Sequence, residues 1–284
     1  MPKRKKEIPE NRSFTNSSES ERTDSIPKTV SLPNLDDSNP LSSSTVMQVP
    51  ELRRLGVAFF DQPCIDLAKS LLGKVLVRKV TPANSTSSML LTARIVETES
   101  YLGGEDRASH SFNGRRTDRN AAMFMSPGTS YVYMTYGMYD CFNISSRGDG
   151  AAVLIRAAEP LSGVEQMREL RKLVTKSKKR KMDTLGNVDS VETNVKEKVM
   201  KLTEICGGPS KLCMAMSITR KYDQVDLTQS EEFFVGDDGY DAVKEEDIVS
   251  CARIGINNAG EWNTKPLRFY IRESAYVSVK AKDK

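Results

Sequence analysis

Histidine is nearly absent from this chain, with His110 alone in 284 residues, and the five cysteines, Cys64, Cys141, Cys206, Cys213 and Cys251, form no Cys-x-x-Cys pair. That scarcity leaves neither a zinc cage nor a His-rich catalytic metal centre to assemble, so no metal or other cofactor is expected and the thiols are read as free. No run of about 18 apolar residues occurs, and the N-terminus has no apolar secretory segment, so a soluble, intracellular protein without a membrane partner is expected. A strong charge imbalance is missing as well: the net charge of +4 does not by itself point to a polyanion. Aromatics are missing from residues 1–48 apart from Phe14. Such a polar stretch cannot bury enough apolar surface to offset the entropy of ordering, so it is expected to be a disordered tail ahead of a folded region at 49–284. Its opening, Met1-Pro-Lys-Arg-Lys-Lys6, reads either as a nuclear localisation signal or as a solvated charged terminus.

What is present is concentrated. Four of the nine tyrosines fall within Ser130 to Ser145, with Gly137 near the middle. The flanking runs have strand composition, so a β-hairpin is predicted whose tip displays Tyr136 and Met138, with Tyr133 and Asn143 on its arms. Two readings stay open: an aromatic core hairpin, or a wedge and stacking surface for nucleic-acid bases. Basic residues also cluster. Arg115, Arg116 and Arg119 lie together, and Arg171 to Lys181 holds seven basic residues and no acid. The second cluster continues into a polar stretch, roughly 174–199, expected to be a flexible surface insertion.

Helical spacing over Ile65 to Leu72 ends at Gly73, and Lys74–Val80 and Met89–Val96 read as an antiparallel strand pair. The second strand leads into Glu97-Thr-Glu99-Ser-Tyr101, where polar groups at a strand end face a pocket. Gly103 to Asn120 reads as an ordered loop carrying His110. Ala151 to Arg156 is a further strand, Gly163 to Leu173 an amphipathic helix, and Pro209 opens another helix. Leu267–Arg272 and Tyr276–Lys280 are predicted as strands. Strands and helices alternate without a βαβ rhythm, which predicts one mixed α+β domain with a largely antiparallel sheet.

Chemically, a carboxylate at Glu97 or Glu99 with the strand-borne Arg156 can hold and activate a water, or form a structural salt bridge. The alternation of a strand puts Glu97, Glu99 and Tyr101 on one face and leaves the choice between the two carboxylates open.

Five blocks in order resemble the alkyladenine (3-methyladenine) DNA glycosylases of the mammalian type: Arg54 to Pro63, Arg94 to Gly103, Tyr131 to Tyr139, Gly207 to Cys213, and Gly260 to Tyr270. The resemblance implies a curved sheet with surrounding helices and a protruding, DNA-inserting hairpin. It implies a monofunctional base-excision repair enzyme acting on damaged double-stranded DNA, monomeric and nuclear, with other repair proteins as further partners. By resemblance Glu99 is the general base and Arg156 helps hold the attacking water, with a carbonyl near Ile256 completing its coordination. Tyr101, His110 and Tyr133 line the base pocket, Asn143 disfavours guanine, and Tyr136 with Met138 enters the duplex. Arg115, Thr117, Arg119, Lys211 and Arg220 contact the DNA backbone. Asp118 inside the basic loop, and Asn257-Asn258 where relatives often carry Gly and His, depart from the pattern.

Overall fold

The structure is a computed structural model that describes residues 52–82, 85–183 and 199–282, and the side chains of these except at 174–183. The expected tail with its basic run, and residues 184–198 of the expected insertion, lie outside the described residues.

Among the described residues, nine strands make one curled antiparallel sheet. They are β1 (Arg53–Arg54), β2 (Val75–Val80), β3 (Met89–Tyr101), β4 (Ser130–Thr135), β5 (Tyr139–Ser145), β6 (Ala152–Ser162), β7 (Phe233–Asp237), β8 (Ile248–Cys251) and β9 (Arg268–Ile271). The order is β1-β7-β2-β3-β6-β5-β4, with β9 bound to both β3 and β8. On one edge β3 pairs with β2 over its first half and with β9 at Glu97–Glu99; on the other it pairs with β6. The helices are α1 (Val57–Phe60), α2 (Cys64–Ser70), α3 (Val164–Asp183), α4 (Leu202–Ile205) and α5 (Pro209–Ala215).

Local chemistry explains these elements. Helix α2 carries Asp66 in its first turn and Lys69 in its last, each complementing the nearer end of the helix dipole. Gly73, at φ 84°, then takes the left-handed turn into β2 that a residue with a Cβ resists. Strand alternation divides the sheet into two faces. On one, Ile95, Phe142, Ile144, Val153 and Ile155 pack with Leu67 and Leu71, with Met167 of α3 and with Leu212 and Ala215 of α5. Fully burying such side chains stabilises the fold by about 1.5–3 kcal/mol each. The hydroxyls of Thr98 and Ser100 donate to the carbonyls of Ala68 (2.9 Å) and Cys64 (3.2 Å), which ties β3 to α2. With those two residues turned toward the helices, Glu97, Glu99 and Tyr101 face the other way.

Three sequence expectations change. Glu97 to Tyr101 lie within β3 and do not follow it. Tyr276–Lys280 is not a strand, because its backbone serves buried charges: Ser278 N–H donates to Glu97 (2.7 Å) and the Val279 carbonyl accepts from Arg268 (2.7 Å). Helix α3 runs on to Asp183, ten residues into the stretch expected to be a surface insertion. Lysine, arginine and methionine are good helix formers, and no Gly or Pro interrupts them there.

Candidate active site

A cross-strand row carries the site. Tyr131 pairs with Asn143, Asn143 with Leu154, Leu154 with Glu99, and Glu99 with Arg268, so five strands present these residues on the face opposite the core. Arg156, two residues beyond Leu154, joins them. It sits at a slip in the β3–β6 register, between Ile155 opposite Thr98 and Ala157 opposite Glu97. Such a bulge re-aims a side chain, here between two glutamates.

The Arg156 guanidinium donates to Glu97 Oε1 from Nε (2.9 Å) and lies 3.1 Å from Glu99 Oε1 through Nη1. Glu97 also accepts from Arg268 Nη1 (2.9 Å) and from Ser278 N–H (2.7 Å). Glu99 accepts from Ile254 N–H (2.7 Å) and from the Tyr101 hydroxyl (3.0 Å). Both carboxylates are fully buried, which demands such partners, because removing one leaves an uncompensated charge at a cost of about 3–5 kcal/mol. Their environments differ. Burial raises the Glu99 carboxyl above its ordinary value, and Arg156 and the Ile254 N–H pull it only part of the way back. Burial, and then the adjacent Glu99 charge, holds the Tyr101 phenol well above its usual range, so it stays a donor.

In front of this pair lies a cavity of about 250 Å³. Tyr101, His110, Tyr133, Asn143, Arg156 and Tyr136 all line it; Glu99 sits immediately behind Tyr101, Arg156 and Ile254. The His110 ring meets Tyr133 edge-on at 4.6 Å, and its Nδ1 lies 2.8 Å from the Tyr131 hydroxyl. Desolvation by burial, then the Arg119 charge, pushes the imidazole down to about 4, although the residue as a whole is exposed, so the shift is the upper bound of the effect. His110 is therefore neutral at physiological pH. Asn143 Nδ2 donates to the Tyr131 carbonyl (3.1 Å), which fixes its amide at the cavity wall.

The hairpin tip stands at the mouth. Tyr136 is 85% exposed and Met138 55%. Tyr136 and Gly137 take φ of 52° and 67°, and Met138 N–H closes the turn on the Thr135 carbonyl (3.1 Å). Positive φ is ordinary for glycine and strained for tyrosine. Beyond His110, a smaller recess is lined by Arg115, Thr117, Arg119 and Asn120. Arg119 donates to the Met134 carbonyl of the hairpin (3.1 Å), and Thr117 is spent capping the turn that begins at Asp118, through Asn120. Asp118 is exposed beside them. Lys211 and Arg220 are exposed and line neither the cavity nor the recess.

A family model described as methylpurine-DNA glycosylase matches residues 58–275. The chain belongs to the methylpurine-DNA glycosylase family. A DNA-3-methyladenine glycosylase of Homo sapiens is 50% identical over 228 residues, covering 80% of this chain and 69% of that protein. The Mus musculus protein of the same name is 49% identical, over 80% of this chain and 61% of its own length. A probable DNA-3-methyladenine glycosylase of Encephalitozoon cuniculi is 47% identical over 76% of this chain and 88% of its own. As a methylpurine-DNA glycosylase, the chain is a repair enzyme that hydrolyses N-glycosyl bonds in DNA.

Several residues of this glycosylase's site were not singled out in the sequence. Arg268 joins Arg156 on Glu97, and Arg253 pairs with Asp106 while its guanidinium lies 4.6 Å from the centre of the Tyr101 ring. Met123, Cys141, Leu154 and Pro209 also line the cavity. Alternation from Asn143 could have found Cys141, and alternation from Arg156 could have found Leu154. Nothing local marks Arg253, which is 147 residues from its partner. Among the described residues no group of three or more His, Cys, Asp or Glu could hold a metal ion.

Proposed function

We propose that the chain flips alkylated or deaminated purines, such as 3-methyladenine, 7-methylguanine, ethenoadenine and hypoxanthine, out of duplex DNA into the cavity beside Glu99. It then cleaves their N-glycosidic bond with water. The observation that carries this reading is a buried carboxylate with a raised pKa behind an aromatic cavity, with an exposed tyrosine on strained backbone at its mouth.

In this reading Tyr136, with Met138 beside it, fills the gap left in the duplex and offsets part of the unstacking cost. The extruded base stacks among Tyr101, His110 and Tyr133. A 3- or 7-methylated purine carries positive charge, which the aromatic faces attract and the neutral His110 does not repel; hypoxanthine and ethenoadenine are neutral and need protonation or added hydrogen bonding to leave. The Asn143 amide crowds the exocyclic amino group of guanine. A carboxylate offers about four acceptor sites; three donors reach Glu99, from Ile254, Arg156 and Tyr101, so one site is left for a water. Glu99 takes a proton as the water oxygen bonds to C1′ of the deoxyribose. The C1′–N bond breaks with its electron pair leaving on the base. Burial that moves the Glu99 pKa toward the working pH makes it a better general base. Arg115, Arg119, Lys211 and Arg220 hold the phosphates, which positions the enzyme without reading sequence, while Thr117, whose donors are committed to Asn120, orders the loop that carries the first two. The enzyme works as a monomer in the nucleus and leaves an abasic site for other base-excision repair proteins.

Incubation with an oligonucleotide containing one ethenoadenine, followed by alkaline cleavage of abasic sites, tests the proposal. Wild type should cleave, and Glu99→Gln should lose about 10²–10⁴-fold in rate while still binding the DNA. No cleavage by wild type at enzyme excess sinks the excision reading; equal rates for the variant sink the assignment of the base.

A further inference from the structure

The Asp106–Arg253 pair joins two segments without regular structure, each bearing part of the cavity. The first, Leu102 to His110, ends on the ring that meets Tyr133 edge-on; the second supplies Ile254, Gly255 and Ile256. Both side chains are fully buried. The Arg253 fork donates to both Asp106 oxygens, at 2.7 and 2.8 Å, and to the Ser100 carbonyl at 2.8 Å. Asp106 also accepts from Leu102 and Ala108 N–H, each at 3.0 Å. Both Nη groups of Arg253 and both oxygens of Asp106 are thus engaged, only Arg253 Nε being left without a partner among the described residues, and the pair holds one geometry, as a bidentate arginine–carboxylate contact does.

Two consequences converge on Glu99. The guanidinium lies over the Tyr101 ring, 4.6 Å from its centre, and the hydroxyl of that ring donates to Glu99 Oε2. The next peptide along from Arg253 presents the Ile254 N–H, which donates to Glu99 Oε1 at 2.7 Å. We infer that Arg253, locked by Asp106, is a positioning residue that aims the Tyr101 hydroxyl and the Ile254 N–H at the two oxygens of Glu99, fixing the carboxylate for proton abstraction. The inference rests on the reading of Glu99 as the base. Arg253 reaches the cavity only through these two donors, since it is not itself part of the lining.

The test compares wild type with Arg253→Lys, which keeps a cation but loses the fork, and with Asp106→Asn, which keeps the shape but loses the charge. Three quantities are measured on ethenoadenine-containing duplex: affinity, the fluorescence change of the lesion on flipping, and the single-turnover excision rate at saturating enzyme. Each variant should bind and flip as wild type does and excise roughly 100-fold more slowly, the cost of a displacement near 1 Å at the reacting groups. Wild-type excision by a folded variant overturns the inference. So does a loss of flipping in proportion to the loss of excision, which marks a merely structural role. If one variant fails to fold, the other decides by the same readouts. Wild type that cannot excise, or Glu99→Gln that can, overturns the reading of the site instead.

Discussion

Replacing Tyr136 by glycine should weaken lesion binding while leaving the fold almost untouched, a combination that only a tip residue serving DNA can give. Tyr136 is 85% exposed, so little burial energy is lost with the ring. Its φ of 52° stores strain of about 1–2 kcal/mol that glycine relieves. Against that gain stands the extra chain entropy of glycine, about 0.5–1 kcal/mol. The net change in stability lies within about 1 kcal/mol of zero, or a melting shift within about 2–4 °C for a domain of this size. Binding moves much further. Unstacking costs a few kcal/mol, and if the ring offsets about 2 kcal/mol of that, affinity for an ethenoadenine duplex falls about 30-fold. Thermal unfolding and fluorescence anisotropy on the same preparation check both halves. A loss of 3 kcal/mol or more in stability would show that the ring is core, and unchanged lesion affinity would show that it inserts nowhere; either result refutes the reasoning.

Two further outcomes follow from the site's electrostatics. The His110 pKa is depressed to about 4 in the fold against 6.5 in the unfolded chain, so between those values the unfolded state binds the extra proton and stability falls as pH is lowered. Urea midpoints measured from pH 7 to pH 4 should therefore fall less steeply for His110→Gln than for wild type; parallel curves would disprove the neutral ring. Arg119→Ala should weaken binding to damaged and undamaged duplex alike and reduce the slope of log affinity against log salt by about 1, whereas an unchanged slope would remove Arg119 from the phosphate contacts.

Much of the site was legible because strand alternation is local. Tyr131, Tyr133, Cys141 and Asn143 share a face by arithmetic along two arms of a hairpin, and Glu97, Glu99 and Tyr101 do so along β3. The hairpin divides by burial: Phe142 is core, Tyr131 is buried but faces the cavity, and Tyr136 stands in solvent, the exposure that the wedge reading requires. Alternation leaves the choice between the glutamates open and the resemblance assigns Glu99; the fold adds a physical contrast between them. Both are fully buried and both touch Arg156, but Glu97 is closed off by Arg268 and the backbone of Ser278, whereas Glu99 lies behind the cavity lining.

The sequence by itself determined the antiparallel α+β character, the hairpin and its tip, the helix starts and stops at Pro209 and Gly73, and the family to which five ordered blocks belong. These depend on side-chain period, turn chemistry and short-range capping, all written in neighbouring residues. Only the tertiary structure decided that Asp106 and Arg253 meet, that Tyr276–Lys280 gives up strand geometry to serve Glu97 and Arg268, and that Arg156 sits at a register slip between two carboxylates. Each is a way of satisfying a buried charge. The partner that satisfies it is selected by proximity in the folded chain, across separations such as the 147 residues between Asp106 and Arg253, which no local pattern encodes.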